Sequence, residues 1–79
     1  MSDAARNSER ALTAARAICD GRDPRHQRAP VLVTLEHTVA TILLATANGD
    51  GRKAAAMLNE GLTPGVKARL AVYAAKAQS

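Results

Sequence analysis

The sequence predicts an all-α protein, a small bundle of three to four helices that pairs as a dimer. Three observations lead there. Alanine, the strongest helix former, supplies 18 of the 79 residues. Larger apolar residues recur at three- and four-residue intervals, and glycines, prolines and capping residues gather into a few short breaks between those stretches. The dimer follows from size. A chain this short buries only about 60% of its unfolded surface, and this one has no Phe or Trp to enlarge its core.

The first segment covers residues 3–19. Ala4, Ala11, Leu12, Ala15, Ile18 and Cys19 share one side, opposite Arg6, Glu9, Arg10, Thr13 and Arg16. Ser2 or Asp3 caps its start, Gly21 suits the position past its end, and Pro24 blocks its resumption. Residues 20–30, "DGRDPRHQRAP", therefore read as an exposed basic connector.

The second segment, 31–48, opens after Pro30 and closes on "NGDG". Val31, Leu32, Leu35, Val39, Ile42, Leu43 and Thr46 form a stripe expected to be buried in any fold. The opposite side is unusual. Val33, His37, Thr41, Leu44 and Asn48 run down it with Ala40 and Ala45 beside them, where a solvent-facing helix normally carries Lys, Glu or Arg. "VLVTL" also alternates like a strand, but no second strand exists to pair with it.

The third segment, 51–60, takes Asp50 as its N-cap, buries Ala54, Met57 and Leu58, and ends at Gly61. The fourth, 64–77, starts at "TPGV", with Thr63 as cap and Pro64 in the first position. Val66, Leu70, Tyr73 and Ala77 face the expected core, while Ala68, Ala71, Val72 and Ala75 make a second small, uncharged back.

Two helices apolar on both sides are more than this length can cover, so the uncharged backs are expected to dock on another protein surface, a second copy first of all. Leu44 and Val72 are the expected anchors. The function that follows is non-enzymatic: a small regulatory or inhibitory adaptor, with Val33, His37, Thr41, Leu44, Asn48, Ala68, Ala71, Val72 and Ala75 as its partner-binding residues. The bland rival is that the first helix and the connector cover those backs within one subunit.

The net charge of +4 invites nucleic acid as the second choice of partner. By segment the charge is +2 over residues 1–28, −1 over 29–49 and +3 over 50–79, so no basic block dominates. The excess of Ala, Arg, Gly and Pro also matches GC-rich codon usage. Read as a helix-turn-helix, the last two segments would present Arg52, Lys53, Lys67, Arg69 and Lys76 to phosphates. The fit is poor. With Gly61 in the turn, Glu60 and Lys67 occupy places that want apolar groups, and alanines stand where base-reading side chains belong.

Motifs for chemistry are weak throughout, and no cofactor or metal is expected. Cys19, His26 and His37, with Asp20 and Asp23 nearby, lack the close ligand pairs of a zinc site. Glu36 and His37 are neighbours on a helix and point about 100° apart, which prevents joint acid–base work. "NGDGRK" has glycines and cations before a helix but no GK[ST] ending or preceding strand, and neither it nor "DGRDP" carries the repeated acids of a calcium loop. The lone cysteine and the polar start "MSDAARNSER" lead us to expect a cytoplasmic protein without a signal peptide. Glu36, His37 and the threonines interrupt the apolar run, so no membrane partner is expected either.

Overall fold

The computed structural model describes residues 2–78, and every regular element among them is helical. The order is α1 (Asp3–Cys19), α2 (Arg28–Thr46), α3 (Gly51–Met57), a π-helical turn (Leu58–Leu62) and α4 (Thr63–Gln78). Because α3, the π turn and α4 follow one another without interruption, they form one rod and the fold has three helices. The chain divides into two compact units, Met1–Val39 and Ala40–Ser79.

In the first unit, α1 starts on Ser2, whose hydroxyl accepts from the Ala5 N–H at 3.2 Å. It stops where Asp20 enters the left-handed region at φ 49°, followed by Gly21 at φ 75°. Arg22 then folds back over the end. Its guanidinium donates to the carbonyls of Cys19 (2.9 Å) and Ile18 (2.7 Å), two of the acceptors a helix C-terminus leaves open, and to Thr34 Oγ1 of α2 at 3.0 Å.

The residues after Arg22 are more structured than a plain connector. Asp23 accepts backbone bonds from His26 (3.1 Å) and Gln27 (2.8 Å), and its carboxylate accepts from the Arg25 N–H at 2.9 Å. This turn leads directly into α2, which starts at Arg28 rather than after Pro30. Pro30 is tolerated there because the first four N–H groups of a helix have no intrahelical acceptor. "VLVTL" is helical.

In the second unit, α2 ends at Thr46, two residues before the expected end. Asn48 (φ 56°) and Gly49 (φ 84°) are both left-handed, and the Gly49 N–H donates to the Leu44 carbonyl at 2.9 Å. Asn48 therefore lies outside α2 and does not extend its uncharged side. Asp50 caps α3, its carboxylate accepting from the N–H groups of Arg52 (3.0 Å) and Lys53 (3.1 Å).

The expected break at Gly61 is absent. Thr63 is right-handed helical (φ −60°, ψ −49°) and donates its N–H to the Leu58 carbonyl, five residues back, so it continues the helix instead of capping a new one. The cause is Pro64, which has no N–H to give to Glu60 and whose ring would crowd that carbonyl in a regular helix. One wide turn relieves the clash and keeps the rod continuous.

The largest departure from expectation concerns burial. Only Val31 (8% exposed) and Ala47 (4%) are buried among the described residues. In the α2 stripe Val39 and Leu43 are half-buried, whereas Leu32, Leu35, Ile42 and Thr46 are exposed. On α1, Ile18 and Cys19 are half-buried and Ala4, Ala11, Leu12 and Ala15 are exposed. Ala54 and Met57 of α3 are half-buried, but Leu58 is exposed, and so are Val66, Leu70, Tyr73 and Ala77 on α4. The periodic stripes exist, but most of their members are exposed among the described residues.

Candidate functional site

All nine residues expected to bind a partner are exposed: Val33, His37, Thr41, Leu44, Asn48, Ala68, Ala71, Val72 and Ala75. Both expected anchors are open to solvent, Leu44 at 44% and Val72 at 51%. Val33, His37, Thr41 and Leu44 occupy one side of α2 at helical spacing. Thr34, Thr38 and Thr46 return their hydroxyls to the carbonyls of Pro30, Thr34 and Ile42 at 3.1, 2.9 and 2.8 Å. That back-bonding leaves methyl groups on much of the α2 surface. A helix apolar around its circumference is normally enclosed by protein or lipid. By length and composition α2 could also cross a bilayer, but Glu36 lies near its midpoint, where a charge costs about 3 kcal/mol.

On α4, Ala68 and Val72 meet Gly65, Arg69 and Tyr73 around a shallow open groove of about 350 Å³. The structure thus places Arg69, a candidate phosphate contact, at the edge of an apolar depression. Arg52, Lys53, Lys67, Arg69 and Lys76 are all exposed. They lie along one continuous rod, since α3 and α4 are not separated by a turn.

What sequence reasoning misses is an aligned apolar face on that rod. It assigns Val66, Leu70 and Tyr73 to a core and leaves Leu62 aside. The spacing 58, 62, 66, 70, 73 is legible, but its alignment with Ala54 and Met57 depends on the π turn. Adding one residue to a helix rotates everything beyond it by about 100°. Here that rotation brings Leu62, Val66, Leu70 and Tyr73 into line with Ala54, Met57 and Leu58.

The Asp23 turn gathers charged side chains. The Arg25 guanidinium, at 3.3 Å from both carboxylate oxygens, holds the Asp23 carboxyl below its ordinary range, helped by the Arg25 N–H and by His26 Nδ1 at 3.0 Å. His26 and Arg25 are exposed. Among the described residues no three His, Cys, Asp or Glu side chains come together as metal ligands, and Cys19 is a half-buried free thiol.

Comparison with known proteins returns no matching family model, curated protein or solved structure. The functional reading therefore rests on the surface itself.

Proposed function

We propose that the chain is a non-enzymatic regulatory or inhibitory adaptor that works as a homodimer and docks onto protein through the uncharged sides of α2 and α4. One observation carries the reading: twelve large apolar residues are exposed, Leu44 and Val72 among them, while two of the described residues are buried. Apolar surface of that kind is stabilised by burial at roughly 25 cal/mol per Å², and small neighbours such as Ala40, Ala45, Ala68 and Ala75 allow close helix approach. The DNA reading has less behind it, because the basic residues sit on an uninterrupted rod and not on a turn-linked helix pair.

The test is solution mass by light scattering. Wild-type protein should measure twice 8.3 kDa, and Leu44→Lys should shift it toward one subunit with helix content preserved. A wild-type mass of one subunit across the accessible concentration range would refute the proposal.

A further inference from the structure

We propose that residues 59–63 are a hinge at which the α3–α4 rod closes into a helical hairpin that buries its own apolar face. The switch goes beyond the adaptor reading and does not depend on it. Val72 points about 200° away from Leu70 around α4, and Leu44 lies on α2, so neither anchor belongs to the face that closes.

Three residues sit in the rod where their chemistry disfavours them. Gly61 is inside a helix, where it is less stable than alanine, and Pro64 brings no N–H and forces the wide turn. Thr63 is right-handed helical at φ −60°, ψ −49°, not in the extended conformation of an N-cap. A turn would suit all three. Gly61 becomes the residue past the end of α3, Thr63 the N-cap of α4 and Pro64 its first residue. Because the Leu58 N–H already closes α3 on the carbonyls of Ala54 and Ala55, only residues 59–63 have to rewind.

The two halves are in register for closure. Folding the chain back about Leu62 sets Leu58 opposite Val66, Ala54 opposite Leu70 and Gly51 opposite Tyr73, each pair equidistant from Leu62 in sequence. Small residues of α3 thus meet large ones of α4, which lets the helices approach closely. Leu58, Val66, Leu70 and Tyr73 are all exposed in the rod although they lie within one compact unit, Ala40–Ser79. Closure takes them out of water without a second molecule. The rod keeps the backbone bonds of the wide turn, whereas the hairpin gains burial and three favoured positions, and these opposing terms make the element bistable. Whatever stabilises one state therefore governs access to the face. The closed pair is antiparallel and lacks the crossing of about 90–120° of a DNA-reading helix-turn-helix.

Spin-label distances by pulsed electron resonance test the hinge. In a Cys19→Ser background, Arg52→Cys and Gln78→Cys, both at exposed positions, carry the labels, and dilution into unlabelled protein restricts the reading to one chain. The rod holds the two positions about 39 Å apart, and the hairpin brings them under about 25 Å. The unsubstituted hinge should show both distances, the short one as a minority of up to about 10%. Thr63→Asp, a better cap and a poorer interior residue, should raise the short fraction at least about threefold. Pro64→Ala, which restores an N–H to the rod, should abolish it, and so should Leu70→Lys, which removes the contact with Ala54. A long distance alone in the Thr63→Asp protein would overturn the proposal. A short distance that Leu70→Lys leaves unchanged would also overturn it, since the rod would then bend freely without closing on its apolar face.

Discussion

The Arg22 guanidinium donates to Thr34 Oγ1 at 3.0 Å while the same group closes the last carbonyls of α1. One side chain thus caps a helix and ties it to the next. Thr34 is fixed in turn by donating its hydroxyl to the Pro30 carbonyl at 3.1 Å, which leaves its lone pairs for Arg22. In a unit whose described residues include a single buried side chain, Val31, such polar ties weigh more than usual.

Arg22→Ala should therefore destabilise the fold by about 1–2 kcal/mol, the net worth of two or three part-buried hydrogen bonds. Arg22→Lys should recover little, because one ammonium cannot span the geometry of a guanidinium fork. Urea unfolding followed by circular dichroism reads both. Wild-type stability in the Arg22→Ala variant would mean that the tie contributes nothing.

Asp50→Ala should cost about 1 kcal/mol by leaving the Arg52 and Lys53 N–H groups without their carboxylate acceptor. Gly49→Ala should also destabilise, since Gly49 sits at φ 84°, a region where a Cβ is strained although no other atom crowds the position. Thermal melts of the two variants check this; a Gly49→Ala protein melting at the wild-type temperature would show that the turn adapts.

How much of this is legible in the sequence depends on whether the signal is local. Ser2, Gly21, Asn48, Gly49 and Asp50 act through their own backbone neighbourhoods, and the ends of α1 and the start of α3 can be read from them. Gly61, Thr63 and Pro64 are equally local but ambiguous: the same three residues suit a cap and a widened helical turn, and sequence reasoning favours the cap. It also places the start of α2 late, because Pro30 fits anywhere in a first turn. The candidate surface is half legible. Uncharged sides on α2 and α4 can be read from spacing, but the exposure of Val66, Leu70 and Tyr73 cannot, since periodicity marks a stripe as apolar without saying whether its own chain covers it.

Asp23 predicts the pH response of the connector turn. Its carboxyl is lowered from the ordinary 3.8 by Arg25 first and His26 last, so the folded state holds the ionised form more tightly than the unfolded state does. The stabilisation is fully present above pH 3.8 and is lost as the pH falls below it, through the depressed folded value. Carbon-detected titration of the Asp23 carboxyl should place its midpoint below 3.8, and Asp23→Asn should raise that of no other carboxyl. A midpoint at or above the ordinary value would show that Arg25 does not hold this position in solution.

Association should couple to stability. If folding surface is shared between copies, the melting temperature rises with protein concentration, as mass action requires when only the folded state associates. A dilution series over two decades should lower the wild-type melting temperature by several degrees, and Leu44→Lys should flatten the dependence. A concentration-independent wild-type melt would place all of the stability within one subunit.

The basic residues supply the last prediction. Arg52, Lys53, Lys67, Arg69 and Lys76 are exposed, and five cations facing a duplex would release counterions and give binding that falls steeply with salt. The rod that bears them has no turn at Gly61, so no second helix is free to enter a groove while the first crosses the backbone. Tyr73 is the chain's sole aromatic residue, too few for a stacking platform on single strands. Titration with duplex DNA at low salt should accordingly give little signal, and Lys67→Ala or Arg69→Ala should not change it. Salt-sensitive binding that those two substitutions weaken would instead make the rod a nucleic-acid surface and displace the reading in which its cations flank a protein partner.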